Sequence, residues 1–325
     1  LYIMDKNTII GLVLMAATLI GFSWYNTNQQ RELQQIESTQ SAATQQTDQE
    51  QQISAREALA QKAAADSADI FFAATQGKNT QVVLRNNKVN IKIDTKGGAI
   101  SEVRLNEYKS YKDFSENREN PLLLYNAKDA GMNFTLDTKE NPLSFKDYYF
   151  TPVHATDSTV TMRLTGKGGE TIDLEYKLLA DNYLVNFAIR TQGMQKYIPA
   201  ATKSIQINWH DRVAQHEKGF YFENMYSTLT YKLHDDDAEH LSEAETAQES
   251  ITGNVDWIAF KNQYFSAVLM GAESLTNVDL KSEQLAENCG YLKKYTAQAT
   301  ANFDPTGAKA SHCLLYTSPS PRDGA

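Results

Sequence analysis

The sequence predicts an all-β protein, an antiparallel β-sandwich preceded by one apolar helix and a polar linker. Three observations carry this. Apolar residues alternate with polar ones at a period of two, and such runs recur about every ten residues with Asn, Asp, Gly and Pro clusters between them. No helical pattern intervenes, which argues against a parallel α/β sheet. Only residues 9–25 are apolar enough to leave water.

Residues 1–8 read as a short cytoplasmic N-terminus, with Met4 as the natural start and Leu1, Tyr2 and Ile3 as upstream read-through. The uncharged run 9–25 would reach about 26 Å as a helix, just short of a hydrocarbon core of about 30 Å. Thr8, Trp24 and Tyr25 close the gap, the two aromatics being interfacial residues. A cleaved signal peptide needs small residues where Trp24 and Tyr25 stand, so the run is read as an uncleaved transmembrane anchor. Lys6 before it and Arg31 after it give little charge bias. The small N-terminal side favours an N-in orientation. Residues 26–78, rich in Gln, Ser, Thr and Ala, form a linker too poor in apolar residues to offset the entropy of ordering, with a marginal helix over 55–74.

The folded domain is expected over 79–311. Val89, Ile91 and Ile93 alternate with Asn90, Lys92 and Asp94; Thr95, Lys96, Gly97 and Gly98 then turn the chain into Ile100, Val103 and Leu105. Short apolar runs follow at 122–125, 133–136, 148–153 and 160–164. Gly168 and Gly169 turn a hairpin into 172–178. Tyr183, Val185, Phe187 and Ile189 make the cleanest alternation, repeated by Ile205, Ile207 and Trp209. After a polar excursion over 235–253, the dense runs 257–260 and 264–270 read as central, doubly covered strands. The end of the chain, 312–325, resembles a translated sequencing adapter and is expected to be non-native and disordered.

A net charge of −9 excludes a nucleic-acid partner, which would need clustered Lys and Arg. Cys289 and Cys313 give no disulfide framework. His154, His210, His216, His234 and His240 share no metal-binding spacing, and Asp235–Asp237 lack the Gly and Glu of a calcium loop. Neither glycine turn leads into a helix whose N-terminus could hold phosphate. Glu170, Asp173 and Glu175 alternate along the wet face of a strand. No catalytic residue, cofactor or metal is therefore expected.

Three stretches carry a resemblance. Met4 to Gly11, with the anchor and Gln-rich linker behind it, is similar to the start of the YidC membrane protein insertase family of the Bacteroidetes type. Residues 93–100 resemble the I-x-T-[RK]-G-G turn that opens the family's periplasmic domain, on Thr95, Gly97 and Gly98. Residues 255–267 resemble its W-[VI]-A-x-x-x-Q-Y-F-x-[AT] signature, on Trp257, Gln263, Tyr264 and Phe265. The resemblance implies an inner-membrane insertase and chaperone, not an enzyme, with its N-terminus cytoplasmic and its large domain a periplasmic β-supersandwich. It implies membrane-protein substrates, the lipid bilayer and the Sec translocon as partners. The five-helix insertase core is expected to lie beyond this truncated chain. Because that supersandwich resembles sugar-mutarotase domains, a membrane-anchored carbohydrate-binding or mutarotase-like protein is the second reading. It would pair His154 or His210 with Glu175 or Glu217 as acid and base.

Overall fold

The computed structural model describes residues 14–24 and 69–319. Contacts divide the chain between Asp69 and Ile70 into two compact units. In the first, residues 14–24 form helix α1, all of them exposed, with the Thr18 hydroxyl donating to the Leu14 and Met15 carbonyls. Among the described residues no helix is long and apolar enough to cross a membrane. The rest of the predicted anchor, and the marginal helix up to residue 68, lie outside the described residues.

The second unit is antiparallel throughout, as the alternation predicted. Its entry lies earlier than expected: Ile70 and Phe71 are buried, and the 3-10 turn Phe72–Thr75 follows them. The Ile70 carbonyl accepts from the Lys167 amide, so a segment read as linker packs on the domain. Strands β1 (Gln81–Arg85), β2 (Val89–Asp94), β3 (Ile100–Leu105) and β4 (Leu122–Asn126) form a four-stranded meander, with α2 (Tyr111–Ser115) between the last two. Val89, Ile91 and Ile93 are buried, with alternate positions wetter, because successive side chains of a strand point to opposite faces.

The larger sheet begins with β5 (Ala130–Leu136), β6 (Leu143–Ser144), β7 (Thr151–Val153), β8 (Thr159–Thr165), β9 (Thr171–Leu178), β10 (Leu184–Gln192) and β11 (Ser204–Ala214). It continues through α3 (Phe220–Met225), β12 (Leu229–Leu233), β13 (Ala238–His240), β14 (Ala247–Ile251), β15 (Val255–Lys261), β16 (Phe265–Gln284), β17 (Tyr291–Asn302) and β18 (Ser311–Pro319). The strand order is β6-β5-β11-β17-β16-β18-β10-β9-β8-β7, with β14 and β15 also on β16 and β12 and β13 beyond β15. The twenty-residue β16 belongs to two layers. Its first part pairs with β15 and β18, its second with β17 and β14. Between them Gly271 to Ser274 bulge out of register with β15, and a Cβ on Gly271 would run into the Glu273 carbonyl. The layers meet face to face. Phe134 of β5 stacks on Phe187 of β10 with ring centroids 5.1 Å apart, and Trp209 of β11 stacks on Phe260 of β15 at 3.7 Å and 15°.

Two sequence expectations are corrected here. The polar excursion contains edge strands β13 and β14, whose exposed side chains need no apolar pattern because pairing alone holds them. The tail expected to be disordered supplies β18, paired on one side with β10 and on the other with β16, with Cys313 buried.

Candidate functional site

The glycine turn after β2 is a joint between the two sheets. Thr95 is buried; its hydroxyl accepts the Thr80 amide at 2.8 Å, and its carbonyl accepts the Phe150 amide at 2.8 Å. The Lys96 amide donates to Asn79 Oδ1, and its ammonium reaches the Asp147 carbonyl at 2.8 Å while lying 4.2 Å from the Tyr149 ring centre. Gly97 (φ +76°) donates its amide to the Tyr148 carbonyl at 2.9 Å. Gly98 (φ +61°) presents its carbonyl to the buried Tyr176 hydroxyl of β9 at 2.9 Å. A Cβ on Gly98 would come within 2.8 Å of the Leu174 side chain and 3.1 Å of Phe150, so glycine is required both by the left-handed backbone and by the close approach.

The second motif turns the chain from β15 into β16. Asn262, buried, accepts the amides of Tyr264 (3.0 Å) and Phe265 (2.6 Å) on its Oδ1 and donates its own amide to the Phe265 carbonyl at 2.9 Å. This Asx turn fixes the reversal, so the residue that makes it is Asn262. Among the predicted motif residues, Gln263 donates to the Tyr264 hydroxyl at 2.9 Å, Tyr264 is partly exposed, and Phe265 is buried against Tyr108 and His216. Trp257 sits half-buried on β15 opposite Met270 and Lys232. The motif thus divides between a turn and a strand face and does not converge on one centre. An Asn ahead of two aromatics at a strand junction is the signal that would have pointed to Asn262.

Behind that turn lies a closed polar cluster that no sequence pattern announced. The Glu223 carboxylate of α3 accepts the amides of His216 and Glu217 at 2.9 to 3.1 Å, and the Glu223 carbonyl accepts from the Ser227 hydroxyl at 2.6 Å. The Lys293 ammonium of β17 donates to the carbonyls of Ser227 (2.6 Å) and Glu243 (2.8 Å). Burial pushes Glu223 up to about 7, against the pull of its two amide donors, and pushes Lys293 down to about 8. Burial likewise brings His216 down to about 4. Asp211 of β11 is raised to about 8, first by burial and then by the Asp129 carboxylate. Glu223 and Lys293 expose 1% and 0% of their surface, so they clasp main chain and do not face an outside substrate.

The acid–base pair of the carbohydrate reading is not assembled. No hydrogen bond or ion pair joins His154 or His210 to Glu175 or Glu217 among the described residues. His210 is exposed on β11 beside Gly131, Glu175 takes the Arg190 guanidinium at 3.0 Å, and His154 stands in a left-handed bend after β7. Among the described residues His234 Nδ1 lies 2.8 Å from Asp256 Oδ1, a pair that raises the imidazole's pKa. Among the described residues, no three His, Cys, Asp or Glu side chains are grouped to hold a metal.

Fold and sites together define an antiparallel β-sandwich whose polar centres serve its own architecture. Residues 81–323 match the YidC periplasmic domain family. The chain is 41% identical over 97% of its length to the membrane protein insertase YidC of Phocaeicola vulgatus, and 38% identical over 97% to that of Bacteroides fragilis. In both cases it spans about half the relative's length, 51%. The chain belongs to the YidC family of membrane protein insertases, which are not enzymes, and carries the family's periplasmic domain. Among solved structures it is similar to a galactose mutarotase related enzyme from Lactobacillus acidophilus (12% identity, 73% of this chain and 97% of that one, TM-score 0.42). A galactose mutarotase-like protein from Lactobacillus casei is comparable (10%, 74% and 100%, TM-score 0.44). Likeness of that degree carries no argument about activity.

Proposed function

We propose that this chain is the anchor and periplasmic module of an inner-membrane insertase that inserts and helps fold membrane proteins, alone or beside the Sec translocon. The observation that carries the reading is the colinear similarity to insertases over 97% of the chain, from the apolar run through the whole sandwich. In this reading 9–25 is the first transmembrane helix, residues 1–8 are cytoplasmic, and 26–78 tether the domain on the periplasmic side. The motif residues Thr95, Gly97, Gly98, Trp257, Gln263, Tyr264 and Phe265 are structural, shaping the joint and the turn. The insertion step belongs to the half of the relatives' length that this chain does not span. There a polar, hydrated path lowers the cost of moving a substrate's polar residues across hydrocarbon.

A chimera tests this. The chain joined to the second half of the Phocaeicola vulgatus relative should restore membrane-protein insertion in cells depleted of their own insertase, whereas the chain alone should not. A stable chimera without activity would refute the reading. A periplasm-dependent reporter enzyme fused within 26–78 should be active, and activity only when it is fused before residue 9 would reverse the orientation.

A further inference from the structure

One opening on the larger sheet is shaped by a break in pairing. β15 and β16 run in register as far as Trp257 and Met270; the next pair is Val255 with Leu275, and Gly271 to Ser274 bulge out between them. The bulge sets Glu273 and Ser274 on the wall of a cleft of about 750 Å³, inside the range of about 300–1,000 Å³ usual for small-molecule sites. Trp257 and its cross-strand partner Met270 line this cleft with apolar surface, each only half-buried. A Trp left in this way offers a broad apolar face that its own core does not cover. The polar lining is already oriented. Asp256 Oδ1 meets the His234 ring at Nδ1 (2.8 Å) and accepts the Ser274 hydroxyl (3.4 Å), while Glu273 accepts the Asn302 side-chain amide. Lys232, also on the wall, turns its ammonium to the carbonyls of Leu233 and Asp236.

Each of these features narrows the ligand. A phosphate or carboxylate would face Asp256 and Glu273, with the Lys232 ammonium engaged elsewhere. A simple cation would have to displace the donors that already hold those carboxylates. A hydroxyl both donates and accepts, so a set of them can use the spare lone pairs of Asp256 and Glu273 together with the side-chain amides of Asn254 and Asn302. A sugar ring carries such hydroxyls around its edge and a C–H face that can cover an indole. We propose that this cleft binds a neutral oligosaccharide, with one ring stacked on Trp257 and its hydroxyls held by Asp256, Glu273 and Asn302. None of His154, His210, Glu175 and Glu217 lines the cleft, so this is a different place from the acid–base pair of the carbohydrate reading, and no reaction is assigned to it. Such binding goes beyond the insertase reading and does not depend on it.

The test uses the full chain reconstituted in phosphatidylcholine vesicles, which carry no sugar of their own, with cellotetraose as the probe. Saturation-transfer NMR read on the sugar should show saturable binding at millimolar concentration or below, strongest at the axial C–H protons that meet the ring. Trp257→Ala should abolish the signal, and Glu273→Gln and Asn302→Ala should each weaken binding about tenfold. His210→Ala, outside the cleft, should change nothing. Near-UV circular dichroism and urea unfolding identify which variants keep the parent fold, and the two polar variants decide the matter where Trp257→Ala does not. Absence of saturable transfer, or transfer undiminished in the folded cleft variants, overturns the proposal. Displacement of the sugar by an uncharged Gly-Ser-Asn peptide at equal concentration would make the cleft a peptide groove and overturns it as well. Insertion by the chimera is read separately, so failure here leaves the insertase reading standing, and failure there leaves the cleft.

Discussion

Gly98→Ala should be the most damaging single methyl group that can be added to the glycine joint. At φ +61° an L-residue carries a strain of about 1–2 kcal/mol. The added Cβ would stand 2.8 Å from Leu174 Cδ1 and 3.1 Å from Phe150, and forcing a carbon into a packed core costs about 1–3 kcal/mol more. The sum, about 2–5 kcal/mol, lowers the melting temperature of a domain this size by roughly 5–15 °C. Gly97→Ala is the control: its φ is +76°, but its Cβ would approach only Lys146 Cα at 3.3 Å, leaving mainly the backbone strain of about 1–2 kcal/mol. Thermal and urea unfolding of the two purified variants beside the parent, followed by near-UV circular dichroism, decides between them. If Gly98→Ala costs no more than Gly97→Ala, the close approach is not what selects glycine at 98, and the joint has been misread.

Asn262→Ala removes the acceptor of two amides at the β15–β16 turn and should cost about 2 kcal/mol in urea unfolding, while Gln263→Ala costs little. Trp209→Ala empties the stack on Phe260 that joins the layers and should cost about 3–5 kcal/mol by the same measurement. Glu223 holds a proton in the folded state, with burial raising it to about 7, that the unfolded chain releases near 4.5. Its contribution is therefore complete below about pH 4.5 and is lost as pH rises through 7. Glu223→Gln should flatten that part of the stability–pH curve, and an unchanged slope between about pH 5 and 8 would show that Glu223 does not titrate there. His216 works in the opposite sense, since burial lowers it to about 4 and its contribution is lost as pH falls from 6.5, so the two slopes separate in the variant.

The parts of the fold legible in the sequence were those where burial follows alternation. Val89, Ile91 and Ile93, or Val185, Phe187 and Ile189, face the core because a strand's period is two. The strands that escaped reading lack that contrast. β17 points Ala297, Ala299 and Ala301 inward, residues of weak strand preference, and near its start sets the buried Lys293 beside the half-buried Lys294. β18 carries only a short apolar stretch, Cys313 to Tyr316, ahead of a Ser- and Pro-containing end, and pairing with neighbours on both sides holds it as a strand. Among the sites, the glycine joint was visible as a turn, but its contact with Tyr176, 78 residues downstream, is a tertiary fact no local pattern contains. Lys293 carried no signal at all, because its partners are two carbonyls and main chain has no sequence identity.

The position of β18 has a consequence for how the domain is made. It is the last of the described strands in sequence, yet lies between β10 and β16 in the middle of the sheet. As the polypeptide emerges from N- to C-terminus, the block β7 to β10 can assemble early, but its inner margin stays an unpaired edge until residues 311–319 arrive. An open edge invites pairing with any passing strand. Joining of β10 to β16 therefore waits for residues 311–319, and until then the edges that carry Phe187 and Leu269 stay unpaired on that side.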